Sequence, residues 1–218
     1  MLLNQRLIAD DGYEVMLFPM GEMYISQGEH GSLSHELAMD FLGWGSNGRI
    51  YTCPYYAPCS CHCVYNFGQD NATWVSDDMV HCADGSLQYV TFCFNHDASP
   101  PGVGATRTQG EIIGYTGTNT SGIPVGDHCH FNTANGTYAG YERILGVEIV
   151  AYELKNSNHI YDICYVNDTV MVPDHTGDYN WKTYEGGVTP PEPSPDDKTK
   201  HKFPWFIYAR ALRGETSV

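Results

Sequence analysis

The strongest local signal in this sequence of 218 residues is the stretch GDHCHF, at residues 126–131. If the stretch forms a strand, His128 and His130 share one face, while Cys129 and Phe131 point to the opposite side. The strand rise of roughly 3.3 Å per residue then separates the two imidazoles by about 7 Å. That separation suits one ring on a metal ion and the other beside a water molecule at that ion. Two histidines on a protein surface give the same pattern, so this alternative stays open at this point.

A second segment, SHELAMDF at residues 34–41, supplies a histidine and a carboxylate. His35 and Asp40 are separated by small and apolar residues that are expected to turn the chain, so that the two side chains can converge. Two histidines and one aspartate, with water in the fourth position, form an open catalytic zinc site. Taken alone, Asp40 is equally explained as a cap or turn residue and His35 as an exposed histidine.

A third segment, residues 88–97, is apolar and ends in His96, just before a loop that contains proline and glycine. A histidine at the end of a strand is well placed to line a groove, because loops on a rigid sheet carry binding residues. The alternative is a histidine at a sheet edge whose hydrogen bonds are satisfied by the protein.

Short apolar or alternating runs recur along residues 1–180 and are separated by clusters of Gly, Pro, Asn and Asp. These runs predict strands at 14–18, 48–51, 61–65, 73–75, 88–94, 111–115, 128–132 and 147–152. No window has a sustained helical period. The sequence therefore predicts a mainly β protein with few short helices.

Composition and charge exclude several classes of protein. Hydrophobic residues make up 42% of the chain and charged residues 17%, which excludes a disordered chain or a coiled coil. A formal net charge of −15 argues against a nucleic-acid partner. No stretch approaches the roughly 18 apolar residues of a membrane span, so no membrane insertion is expected. The first residues lack the pattern of a signal peptide, which predicts synthesis in a cytoplasm.

The eight cysteines are expected to be structural. Cys59, Cys61 and Cys63 alternate along a predicted strand, and this spacing is unusual for zinc ligands. Free cysteine is among the most buried residue types, which favours small side chains in the core.

The composition shifts near residue 186. Residues 186–197 are rich in proline and predict an extended, semi-rigid linker after a domain at 1–185. Residues 198–218 form a tail that holds five of the eleven Lys and Arg residues and several aromatic ones. This tail either packs on the preceding domain, docks a partner, or begins a further module.

In order and spacing, these segments resemble the lysostaphin-type (LytM-like) zinc metallopeptidases over about residues 25–150. Tyr56-Ala57-Pro58 and the stretch GEIIGYTG at residues 110–117 add to the resemblance. It implies an antiparallel sheet that forms an open groove flanked by long loops. It also implies that one Zn²⁺ per chain is bound by the ligands His35, Asp40 and His130, with His96 and His128 as catalytic histidines.

The segment between the first two ligands departs from the family pattern. Four residues separate His35 from Asp40, where compact family members usually have three. His30 is therefore kept as a reserve ligand. The variation is expected to be tolerated because the segment is predicted to be a loop.

The resemblance implies an endopeptidase that hydrolyses peptide bonds of bacterial peptidoglycan, in the stem peptide or the cross-bridge, with water activated by the metal. Without a signal peptide, such an enzyme acts on the cell wall after lysis or as part of a virion. This points to a bacteriophage lysin, with the tail as a contact to a phage structural partner or a further wall-binding module. The alternative is an inactive metallopeptidase-like domain that binds the wall or serves as a structural phage protein.

Overall fold

The computed structural model describes residues 6–30, 35–68, 70–118, 126–148, 150–172 and 179–186. No helix within these ranges is both long enough and apolar enough to cross a membrane. Except for Gly186, the predicted linker and the C-terminal tail lie outside the described residues. The division of the chain into domain, linker and tail therefore stays a prediction.

Strands dominate the described residues, as the alternating sequence pattern predicts. In chain order they are β1 (Glu14–Val15), β2 (Glu22–Gln27), β3 (Met39–Gly45), β4 (Gly48–Ile50), β5 (Pro54–Tyr56), β6 (Cys61–Tyr65), β7 (Ala72–Ser76), β8 (Val80–His81), β9 (Leu87–Gln88), β10 (Val90–Asn95), β11 (Thr106–Arg107), β12 (Ile112–Tyr115), β13 (Cys129–Asn135), β14 (Tyr141–Arg143), β15 (Tyr152–Leu154), β16 (Ser157–Asn158) and β17 (Val170–Met171). The single helix of the described residues is α1 (Ile160–Ile163).

The main sheet has ten strands, in the order β11-β6-β7-β10-β13-β3-β2-β17, with β16 paired to β13 and β4 to β3. All of its pairings are antiparallel except that of β2 with β17. Three small sheets complete the fold: β1-β8-β9, β5-β12 and the β14-β15 hairpin. The expectation of a mainly β protein built on an open, largely antiparallel sheet is confirmed.

The apolar core covers one face of the main sheet. Phe131 in β13, Phe92 and Phe94 in β10, and Phe41 in β3 are at most 1% exposed, and they pack together with Phe18. Because successive side chains alternate across a strand, the residues between them point to the opposite face. The core therefore determines which side chains of β3, β10 and β13 remain available for a site.

Several strand boundaries differ from the prediction. The segment expected to be a loop between His35 and Asp40 ends in a strand, because β3 begins at Met39 and carries Asp40. The strand predicted at 147–152 is displaced and lies at Tyr152–Leu154. Only Cys61–Tyr65 has the predicted limits. Strands as short as β1 and β15 give too few alternating positions for a periodic pattern to define their ends.

The eight cysteines are buried, and all of them are free thiols. Cys59, Cys61 and Cys63 belong to the same apolar core cluster, on or beside β6. The expectation that the cysteines fill the core is confirmed.

Replacing a core aromatic residue is expected to destabilise the whole domain. Phe92→Ala removes a fully buried ring that contacts Phe94 and Phe131, and it should lower the free energy of unfolding by about 3–5 kcal/mol. Leu145→Ala is the control, because Leu145 is 81% exposed and its loss should cost less than about 0.5 kcal/mol. Urea titration followed by circular dichroism measures both, and equal effects would contradict this description of the core.

Candidate metal centre

The pairing of three central strands brings the predicted site residues together. His130 of β13 lies opposite Asp40 of β3 on one side and opposite Asn95 of β10 on the other. His130 and Asp40 occupy alternate positions between core residues, so both side chains point away from the core. His35 precedes β3 and is 2% exposed.

The three predicted ligands converge on one point. Nδ1 of His130 lies 3.1 Å from Nε2 of His35 and 3.1 Å from Oδ1 of Asp40, and the latter two atoms are 3.3 Å apart. In a tetrahedral zinc site with ligand distances of about 2.0–2.1 Å, neighbouring ligand atoms lie about 3.3–3.4 Å apart. Among the described residues, this is the one group of three or more His, Cys, Asp or Glu side chains arranged to hold a metal ion. Two imidazole nitrogens and a carboxylate oxygen are also ordinary zinc ligands, so the residues present fit a zinc ion.

The protonation states of the site favour metal binding. Burial lowers the pKa of His130 to about 4, against the opposing effect of its hydrogen bond with Asp40. Burial raises the pKa of Asp40, but the hydrogen bonds with His130 and His35 outweigh it, and the pKa lies below its usual value. Metal ligands must be deprotonated, and these shifts keep the imidazole neutral and the carboxylate ionised near neutral pH.

His128 lies at the edge of this group, with one nitrogen directed into it. Its Nδ1 is 2.6 Å from the carbonyl oxygen of Gly126, and since a carbonyl only accepts, Nδ1 carries the proton. Nε2 lies 3.5 Å from Oδ2 of Asp40. His128 and His130 therefore share the face that the alternation of the sequence predicts.

His96 follows β10 and lies next to His128 beside the same group. Its ring centroid is 4.5 Å from that of His128 and 6.0 Å from that of His130. The backbone φ of His96 is 66°, a left-handed conformation that costs free energy in a residue other than glycine. Nδ1 of His96 lies 3.8 Å from Oδ2 of Asp70, so a carboxylate lies on the Nδ1 side of the ring.

The remaining histidines of the described residues lie apart from the ligand group. His62, His81 and His159 form ion pairs with Asp77, Asp11 and Glu29, respectively. His30, the reserve ligand, is exposed and is not part of the group that could hold a metal. His175 and His201 lie outside the described residues.

Sequence reasoning did not identify two carboxylates that lie beside the site. Asp127 is 7% exposed and accepts hydrogen bonds from the backbone N–H of Thr52 at 3.0 Å and the hydroxyl of Thr116 at 2.7 Å, which fixes the chain just before His128. Its position in the sequence, next to His128, could have indicated that it belongs to the site. Asp70 lies in a turn among polar residues, and nothing in the sequence connects it with His96.

Comparison with known proteins relates the chain to a bacteriophage protein. The chain is 38% identical over 197 residues to "Morphogenesis protein 1" of Bacillus phage B103, an alignment that covers 88% of this chain and 50% of that protein. The chain thus spans about half the length of this curated relative. No family model matches the sequence.

Two solved structures are similar in backbone. The catalytic domain of the antimicrobial peptidase lysostaphin from Staphylococcus simulans aligns with 53% of this chain and 80% of its own, at 18% identity and a TM-score of 0.36. The M23 metalloprotease pseudoalterin from the deep sea aligns with 70% of this chain and 90% of its own, at 16% identity and a TM-score of 0.40. At these low TM-scores neither likeness carries an argument about activity.

Removing one ligand is expected to abolish metal binding. His130→Ala should reduce bound zinc from one ion per chain to none after dialysis, because it deletes the nitrogen that both other ligands face. His62→Ala is the matched control, since His62 is exposed and paired with Asp77. Elemental analysis by mass spectrometry measures both, and one zinc retained in His130→Ala would contradict the assignment.

Proposed function

We propose that this protein is a zinc-dependent endopeptidase that hydrolyses peptide bonds of bacterial peptidoglycan. The observation that carries the proposal is the ligand group of His35, Asp40 and His130, whose three atoms lie 3.1–3.3 Å apart, with two further histidines beside it. A structural zinc site surrounds the ion with four protein ligands, whereas three ligands leave a position for water or substrate. Two histidines next to that position are the groups that general acid–base catalysis requires.

When bound, zinc supplies Lewis acidity at the scissile carbonyl and lowers the pKa of a water molecule that it contacts. Because Nδ1–H of His128 is donated to the carbonyl of Gly126, the neutral tautomer of this ring has its lone pair on Nε2, which is directed toward the site. This nitrogen can take a proton from water and return it to the leaving amine. The carboxylate of Asp40, 3.5 Å away, stabilises the imidazolium that forms in between.

His96 lies beside His128, with the two ring centroids 4.5 Å apart. The carboxylate of Asp70, 3.8 Å from Nδ1 of His96, provides a negative charge near the ring at more than hydrogen-bond distance. In this position His96 can donate a hydrogen bond to the oxyanion that develops during attack. All eight cysteines are buried in the core, so the proposed reaction uses no cysteine nucleophile.

The proposed setting is a bacteriophage, with the cell wall as the substrate reached after lysis or from a virion. The relative in Bacillus phage B103 supports this setting. In the proposal, the basic residues of the tail at 198–218 contact a phage structural partner or a further wall-binding module. Nucleic acid and membrane insertion are not part of the proposal.

A second candidate is a structural phage protein that keeps the fold without hydrolysing the wall. The name "Morphogenesis protein 1" of the relative favours it, because that name refers to morphogenesis and not to hydrolysis. The ligand group favours the enzyme, since a purely structural role does not require His96 and His128 beside it.

Incubation with purified cell walls separates the two candidates. Wild-type protein should release peptides that mass spectrometry identifies, a chelator should stop the release, and added zinc should restore it. His128→Ala should keep one zinc per chain and lose activity by about 100-fold or more, because general acid–base catalysis contributes at least that factor. His81→Ala, which changes a half-buried histidine outside the ligand group that is paired with Asp11, is the control. Zinc-loaded wild type that releases nothing would favour the structural role, and a fully active His128→Ala would remove the role given to that residue.

A further inference from the structure

The hairpin of β14 and β15 carries a buried carboxylate that the proposed reaction does not use. Glu153 is the middle residue of β15 and is 4% exposed. Burying an ionised group costs free energy unless hydrogen bonds compensate for the lost water. The partners of Glu153 therefore indicate what it does in the fold.

Glu153 accepts hydrogen bonds from three consecutive backbone N–H groups. Its Oε1 lies 2.7 Å from the nitrogen of Glu36, 3.1 Å from that of Leu37 and 3.1 Å from that of Ala38. Its Oε2 lies 3.0 Å from the nitrogen of Leu37. Successive backbone N–H groups that converge on one anion form a nest, and here a side chain of the same protein fills it.

The nest lies entirely between two metal ligands. Its three residues belong to the four that separate His35 from Asp40 along the chain. The carbonyl of Glu36 also accepts the N–H of His30 at 2.8 Å, which ties the same backbone to the residues that follow β2. The path from His35 to Asp40 is therefore fixed by hydrogen bonds rather than by apolar packing alone.

The strand that carries Glu153 is held against the strand of the third ligand. The backbone N–H of Leu154 donates to Oδ1 of Asn132 at 2.9 Å. Asn132 is fully buried and lies two residues after His130, on the same face of β13. Through these bonds, β15 connects the backbone of the first two ligands with the strand of the third.

We infer that Glu153 is a positioning residue of the metal centre, which holds the backbone of residues 36–38 so that His35 and Asp40 face His130. The inference rests on the proposed metal-dependent function and extends it. Sequence reasoning assigned no role to Glu153, because one glutamate in an acidic chain gives no signal.

The zinc dissociation constant of the folded protein tests this inference. Competition with a chelator should show zinc binding weakened by about 10- to 100-fold in Glu153→Ala, the usual effect of losing a group that orients a ligand. Glu153→Gln should weaken it less, since an amide oxygen at the Oε1 position keeps the bonds to Glu36 and Ala38 and disturbs only the Oε2 contact. Glu142→Gln, an exposed cross-strand neighbour with the same change of charge, should bind zinc as the wild type does.

Two further measurements distinguish positioning from general stabilisation. The visible absorption of the Co²⁺-substituted protein reports ligand geometry, and it should change in both Glu153 variants but not in Glu142→Gln. Urea unfolding of the metal-free proteins reports overall stability. The inference would be overturned if the Glu153 variants are less stable without metal but keep the zinc dissociation constant and the cobalt spectrum of the wild type. If Glu153→Ala does not fold, the same measurements on Glu153→Gln test the inference.

The outcomes separate this inference from the proposed function. Wild-type protein that binds zinc but hydrolyses no wall would refute the enzyme, while weaker zinc binding in the Glu153 variants would still support the positioning role. Conversely, wall hydrolysis with unchanged zinc binding in those variants would support the enzyme and overturn the positioning role. Wild-type protein without zinc affinity would overturn both.

Discussion

In the antiparallel pairing of β3 with β13, Asp40 lies directly opposite His130. This register is the constraint on which the site depends, since it fixes an imidazole and a carboxylate at 3.1 Å without help from any loop. Because side chains alternate across a strand, a slip by one residue would turn His130 into the core and Phe131 into the site. The aromatic core that holds Phe131 therefore also holds the ligand in place.

The site gathers at the ends of strands rather than along them. His96 follows the last residue of β10, His128 precedes the first residue of β13, and Asp40 is the second residue of β3. The end of β10 and the start of β13 lie side by side because these strands are antiparallel, and Asp40 joins them because β13 pairs with residues 39–41 of β3. Rigid strands thus carry two of the three proposed ligands, and only His35 depends on irregular backbone, where we infer that Glu153 supplies the constraint.

Sequence patterns predicted the parts of the fold that repeat with period two. The alternation around His128 and His130 correctly placed both rings on one face, and the apolar run before His96 correctly ended as the chain reached the site. The segment between His35 and Asp40 was expected to be a loop because of its small and apolar residues, and pairing with both β2 and β13 makes its end a strand. Asp70 and Glu153 act through contacts with residues far away in sequence, which no local pattern contains.

The buried thiols affect how the proposed metal ion would be taken up. Burial raises the pKa of Cys93 to about 12 and that of Cys82 to about 11, and thiolate is the form of cysteine that binds zinc. In the folded chain, these sulfurs therefore do not compete for an ion held by His35, Asp40 and His130. In the unfolded chain the thiols lose this burial, so they compete for the ion. Zinc that is present during refolding would bind to cysteine thiolates. Zinc should therefore be added after the protein has folded.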